Sequence, residues 1–235
     1  MIHTLLMLGF WVIAAPPAAL IGFPWTFLTG KIDLLYWLGT RGAWTGVRLA
    51  GVKVQVTGLD QVDPARTYIF LSNHASNLDP PILIRLIPRR TSVLVKKELF
   101  RIPILGRAMR MGSLVPVERS NRDAAMASLR AAAEVIRSGV NMTVFIEGTR
   151  SPDGRLLPFK KGPFYLALEN RVPVVPVTIA GTHAMMPKGR LRIRPGTAVV
   201  TFHSPLQPQA FASREALMEA VRQQIASALP PELRQ

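Results

Sequence analysis

The stretch Tyr68-Ile69-Phe70-Leu71-Ser72-Asn73-His74-Ala75-Ser76-Asn77-Leu78-Asp79-Pro80-Pro81-Ile82-Leu83-Ile84 contains, in order, a strand signal, a turn and a helix start. Its apolar opening gives way to Ser and Asn, and Asp79 with two prolines then begins a new apolar run, a composition suited to a helix N-terminus. His74 and Asp79 stand five positions apart. On a continuous helix they would face different ways, because helical neighbours lie three and four apart. Across a strand-to-helix turn they can meet. A histidine titrates near neutral pH and can take a proton from an alcohol, and a carboxylate behind it can fix the tautomer and stabilise the imidazolium. Taken locally, the same residues also suit a turn histidine followed by a helix with Asp79 as its N-cap.

Outward from this stretch, strand-like runs occur at 52–57, 68–71, 92–95, 114–117, 142–146, 174–179, 191–194 and 199–203. Helical spacing of apolar residues fills 33–50, 81–87, 123–137 and 163–170, and a last amphipathic helix covers 213–228 with Ser213 at its start. Strands alternating with helices predict an α/β fold with a mixed, largely parallel sheet flanked by helices. Ligands of such sheets sit at the carboxyl ends of strands. His74, Arg119 and Glu147 all fall just beyond strand-like runs, so one end of the sheet can gather them.

The chain has 235 residues and no cysteine, which excludes disulfides, a thiol nucleophile and thiolate metal sites. Its four histidines are dispersed without ligand spacing, so no metal is expected. Residues 1–30 contain no Lys, Arg, Asp or Glu, yet Pro16-Pro17 and Pro24 interrupt them. This predicts a membrane-associating motif at 1–30, made of two short apolar helices too short to span separately, ahead of an α/β domain at 31–235. The formal net charge of +15 implies phosphate-rich partners. Basic residues are scattered among apolar ones, without interleaved stacking aromatics. That favours a membrane surface, and nucleic acid is not expected.

Further blocks give the pattern an identity. His74-x4-Asp79 with Asn73 before it and Pro80-Pro81 after it resembles the signature of the glycerolipid acyltransferases, in particular the lysophosphatidic acid acyltransferase family. Lys97-Glu98-Leu99 with Pro103 and Gly106, Val115-Pro116-Val117-Glu118-Arg119, Phe145-Ile146-Glu147-Gly148-Thr149-Arg150-Ser151 and Val172-Pro173-Val174-Val175-Pro176-Val177 resemble its later blocks, in the same order, over roughly 50–205. Two positions depart from the pattern: Ser113 stands where a glycine is usual, and Ile146 where proline is common.

The resemblance implies transfer of a fatty acyl group from an acyl-CoA or acyl carrier protein thioester to the sn-2 hydroxyl of lysophosphatidic acid, giving phosphatidic acid. No cofactor is implied beyond the thioester co-substrate. His74 is the implied general base and Asp79 its partner. Arg119, Gly148, Thr149 and Arg150 are implied phosphate binders, since the arginine fork matches two phosphate oxygens. Lys160 and Lys161 hold phosphate or face anionic lipid, and Glu147 binds a glycerol hydroxyl or holds an arginine. The implied location is the cytoplasmic face of the cell inner membrane, as a monotopic or peripheral protein. Another lysolipid or glycerol phosphate as acceptor is the nearest alternative, and a non-catalytic anionic-membrane-binding protein is the alternative from a different class.

Overall fold

The computed structural model describes residues 1–118 and 122–234. Seven strands occur among them: β1 (Val52–Thr57), β2 (Ile69–Ser72), β3 (Thr91–Lys96), β4 (Val115–Val117), β5 (Asn141–Phe145), β6 (Val174–Ala180) and β7 (Gly196–Phe202). They form one sheet in the order β1-β7-β6-β2-β5-β3-β4. Only the β6/β7 pair is antiparallel. The mixed, largely parallel sheet expected from the sequence is therefore present.

All four residues of the central strand β2 are buried. Phe70 faces a core shared with α2 (Asp33–Leu49) and α3 (Asp79–Leu86), where it meets Val47, Ile82 and Leu83. Ile69 and Leu71 face the opposite core, built with α5 (Arg122–Arg137), α6 (Gly162–Asn170) and α8 (Arg214–Ser227), whose Ala132, Phe164 and Leu217 are buried. A parallel strand covered on both faces has no polar side, which is why 68–71 reads as an apolar run without alternation. Full burial of a side chain such as Phe70 or Leu71 contributes about 1.5–3 kcal/mol, so packing on both faces fixes where β2 ends. Ser213 caps α8 as expected, its hydroxyl accepting the Ala216 N–H at 3.1 Å.

The N-terminal segment corrects an expectation. Instead of two short halves it forms one helix, α1 (Ile2–Thr29), of 28 residues running through Pro16, Pro17 and Pro24. Each proline removes one N–H but has a helical φ, and an apolar environment offers the remaining backbone groups no alternative partners. By length and mean hydropathy α1 is able to cross a membrane. It packs along α2 over small residues: a Cβ on Gly22 would come 2.7 Å from Leu35 Cδ1, and one on Gly46 2.9 Å from Trp11 Nε1.

The remaining differences are local. The predicted strand at 191–194 is absent: its backbone bonds go to helices, with Ile193 N donating to Thr4 Oγ1 of α1 and Arg194 N to the Met185 carbonyl of α7 (Thr182–Met185). Residues 103–111, read only as part of a motif, form α4 (Pro103–Met111). Gly106 allows that helix to close on its neighbour, since a Cβ there would lie 2.1 Å from the Phe100 carbonyl oxygen. Ser113, one of the two positions that depart from the pattern noted above, adopts φ 61°.

Candidate active site

Three segments meet at the carboxyl ends of the central strands: 73–78 after β2, 146–161 after β5, and 181–195 after β6. The first is the expected strand-to-helix turn. Asn73 continues the β2–β6 ladder with its side chain, donating to the Ile179 carbonyl at 2.9 Å and accepting the Ile179 N–H at 2.8 Å. This two-point tie fixes where the chain leaves the sheet and starts its turn into His74.

His74 and Asp79 meet. His74 Nδ1 lies 2.8 Å from Asp79 Oδ2. The same oxygen accepts the backbone N–H groups of Ala75 and Ser76, each at 2.8 Å. Asp79 is not the N-cap of α3; it is the first helical residue, and its carboxylate turns back into the preceding loop. It is fully buried, and its Oδ1 has no partner among the described residues. Because Oδ2 acts as an acceptor towards both amides, Nδ1 carries the proton, and Nε2 is left as the basic atom. The His74 side chain is 12% exposed and its ring stacks on Phe145 with centroids 4.1 Å apart. Phe145 thus sets the ring plane, and the Asp79 contact sets its rotation within that plane.

Ser72 and Ser76 do not complete a nucleophilic triad. The Ser72 hydroxyl donates to the Asn73 carbonyl and the Ser76 hydroxyl to the Met186 carbonyl, and both residues are fully buried. Neither serine hydroxyl is therefore offered to the His74 ring.

The segment after β5 is tied directly to His74. Glu147 Oε1 accepts the His74 N–H at 2.9 Å, and Ser151 N donates to the His74 carbonyl at 2.7 Å. Glu147 is only 2% exposed, and its Oε2 has no partner among the described residues. Burial pushes its pKa up to about 8; the N–H groups of His74 and Leu157 pull the other way, and the nearby Asp79 charge adds to the rise. Gly148 makes the reversal that follows, with φ 69° and its N–H on the Phe145 carbonyl.

Beyond the reversal two lysines, Lys160 and Lys188, come against the loop. Arg150 is half-buried and has no hydrogen-bond partner among the described residues, while Thr149, Lys160 and Lys161 are exposed. A Cβ on Gly148 would come 3.1 Å from Lys160 Cγ, so Lys160 lies over the turn. Lys188, which sequence reasoning missed, comes from the third segment, and its Nζ donates to Thr149 Oγ1 at 3.1 Å. No local pattern marks Lys188; only the fold brings it here. Arg119 lies outside the described residues. Among the described residues no cluster of three or more His, Asp or Glu is arranged to hold a metal ion.

The sequence and the fold are similar to those of known proteins. The sequence profile of the acyltransferase family matches residues 53–180. The chain is 36% identical over 186 residues to a 1-acyl-sn-glycerol-3-phosphate acyltransferase of Limnanthes alba, covering 78% of this chain and 64% of that protein. It is 39% identical over 140 residues to the protein of the same name from Cocos nucifera, covering 59% of this chain and 46% of that one. The matched regions thus span just under two thirds of the first relative's length and just under half of the second's. Its fold is similar to the crystal structure of the 1-acyl-sn-glycerophosphate (LPA) acyltransferase PlsC from Thermotoga maritima, with a TM-score of 0.80, 31% identity, and coverage of 94% of this chain and 92% of that one. Since the profile takes in more than half of its residues and the likeness to a solved member extends over nearly its whole length, the chain belongs to the acyltransferase family.

Proposed function

We propose that the chain transfers a fatty acyl group from an acyl-CoA or acyl carrier protein thioester to the sn-2 hydroxyl of lysophosphatidic acid, yielding phosphatidic acid. The observation that carries this reading is the His74 Nδ1–Asp79 Oδ2 contact of 2.8 Å, which makes Nε2 a base at the opening of a cation-bearing loop. His74 Nε2 takes the proton from the acceptor hydroxyl as its oxygen bonds to the thioester carbonyl carbon. The tetrahedral intermediate then collapses with cleavage of the carbon–sulfur bond, and the imidazolium returns the proton to the departing thiolate. Asp79 balances the imidazolium while it exists. Arg150, Thr149 and Lys188, with Lys160 and Lys161 beside them, hold the acceptor's phosphate, and Arg119 adds a further cation from the segment after β4.

The names of the relatives support this acceptor, and so does the charge of the loop. An assay of thioester consumption with the full chain tests it, comparing lysophosphatidic acid with a panel of other lysolipids. A positioned base contributes about 10²- to 10⁴-fold in rate, so His74→Ala is expected to remove that factor. Activity within a few fold of the parent protein, or consumption indifferent to the acceptor's phosphate, would sink the reading.

The protein works, in this reading, from one leaflet at the cytoplasmic face of the inner membrane. Support comes from α1 touching the α/β domain at two distant points, Thr4 against Ile193 and Phe23 under the Arg107 guanidinium. Nineteen helical positions separate them, about 28 Å at 1.5 Å per residue, close to the ~30 Å of a bilayer's hydrocarbon. A perpendicular α1 would carry parts of the polar domain into that hydrocarbon. An α1 lying along the surface keeps both contacts.

A further inference from the structure

The segment 190–194, which takes no strand, has a composition the proposed chemistry does not use. Arg190, Arg192 and Arg194 are exposed, and none of their guanidinium groups has a hydrogen-bond or acidic partner among the described residues. Between the first two stands Leu191, 78% exposed, one of the most exposed large apolar side chains described outside α1. The segment is nonetheless fixed. Arg190 N donates to the Pro187 carbonyl and Arg194 N to that of Met185, while Ile193, at 1% exposure, is buried in the core. Its position is set by α1, through the Ile193 N–H on Thr4 Oγ1 at 2.9 Å. The neighbouring side chains at that end of α1, Met1, Ile2 and Leu5, are exposed and apolar too. Just ahead of the segment, Lys188 reaches Thr149.

A rigid segment that presents three unneutralised guanidinium groups and an exposed leucine beside the apolar end of a membrane helix has the chemistry of a lipid–water boundary. Guanidinium groups pair with phosphate oxygens, and the leucine gains by leaving water. We infer that Arg190, Leu191, Arg192 and Arg194 form a contact for anionic phospholipid headgroups in the leaflet that holds α1, with Leu191 inserted below the headgroups. The inference rests on α1 lying along the membrane but not on the acyl-transfer chemistry. An acidic carrier protein would also answer the charge, yet it gives no reason for Leu191 or for the placement against α1. The contact places the bilayer surface at one end of a cationic path whose other end is the Thr149 loop.

The absence of native cysteine makes the test direct. The full chain with Leu191→Cys carries an environment-sensitive fluorophore at that position, and is mixed with vesicles of phosphatidylcholine alone or of phosphatidylcholine with phosphatidylglycerol. Emission is expected to shift to the blue on the anionic vesicles and to be quenched by a shallow lipid-borne quencher. Each arginine near an anionic surface is worth about fivefold in partition, roughly a hundredfold for three. Arg190→Gln, Arg192→Gln and Arg194→Gln together should therefore abolish the anionic preference of the signal, while sedimentation still shows α1-dependent binding. Emission unchanged from buffer on both vesicles, or an anionic response that persists without the arginines, would overturn the inference. So would a response to acyl carrier protein in the absence of lipid with none to vesicles, which would assign the segment to the donor. Acyl transfer is not the readout, so a failure of the catalytic reading leaves this signal standing.

Discussion

His74 and Glu147 are related by the register of the sheet. Ser72 pairs with Phe145 in the parallel β2–β5 ladder, an offset of 73, and the same offset carries two residues past both strand ends to the 2.9 Å bond from the His74 N–H to Glu147 Oε1. A buried carboxyl group has taken over the place of the next ladder acceptor. The backbone of the proposed base is thereby built as an extension of the central strand pair.

The raised pKa of Glu147 has a definite sign in stability. Its folded value of about 8 lies above its ordinary 4.5, so the folded chain binds the extra proton between these limits. Stability from this group is complete below the ordinary value and declines as pH rises through the folded one, by an amount on the order of 4 kcal/mol. Glu147→Gln retains an oxygen for the His74 N–H and removes the ionisation. Thermal melting of the variant should lose this alkaline decline and exceed that of the parent protein above pH 8. Parallel melting curves across the range would show that the carboxyl group ionises normally.

Asp79 combines positioning with charge. Asp79→Asn leaves one oxygen for the Ala75 and Ser76 amides but no anion for an imidazolium. Loss of a hydrogen bond to a charged group is worth about 1.5–3 kcal/mol, so turnover should drop roughly ten- to a hundredfold with a smaller change in melting. Asp79→Ala frees all three donors on Oδ2 and should lower the melting temperature clearly. If the two variants melt alike and turn over alike, the carboxylate is only a turn anchor.

Arg150→Ala should raise the apparent KM for lysophosphatidic acid by about ten- to a hundredfold, the value of one charged hydrogen bond. Lys188→Met should act in the same direction and less strongly, its ammonium being more exposed. A lysolipid lacking a phosphate monoester should register neither change. Equal losses on both acceptors would make these cations structural.

Ser113 holds a conformation that L-residues disfavour by about 1–2 kcal/mol. Part of this gain is offset by the greater freedom of glycine in the unfolded chain. Ser113→Gly should therefore raise the melting temperature, by about 2–4 °C per kcal/mol for a chain of this length. A lower melting temperature would show that the serine side chain contributes more than its backbone conformation costs.

The orientation of α1 is open to labelling, again helped by the lack of cysteine. Cysteines at Ile2 and Leu28, exposed by 66% and 80% at opposite ends of the helix, should both resist an impermeant reagent added outside sealed cells. Efficient labelling at either end would require α1 to cross the bilayer.

Sequence patterns located most of the sheet because strands buried on both faces and turns rich in Ser, Asn and Pro leave strong local signals. Within the turn at 73–78 the His74–Asp79 pairing was also legible, since only a turn lets that spacing close. What was lost depended on distant partners. Prolines in α1 were read as breaks because local rules omit α2, against which the helix packs. The run at 191–194 alternates like a strand, yet α1 and α7 take its hydrogen bonds. The bond from the His74 N–H to Glu147 was not seen, because the β2–β5 register that brings them together cannot be counted from one segment alone. Lys188 needed β6 and α7 in place before it could be seen near Thr149.

The double tie between His74 and the segment after β5, through Glu147 on its N–H and Ser151 on its carbonyl, bears on engineering. One peptide unit on each side of the proposed base is clamped by the stretch that carries the cations proposed to bind the acceptor. Grafting a foreign 147–154 loop to alter acceptor choice would therefore disturb the alignment of the base, however well the new loop fitted its ligand. The two segments form a single exchangeable module, and a successful transplant has to move 73–79 and 147–154 together.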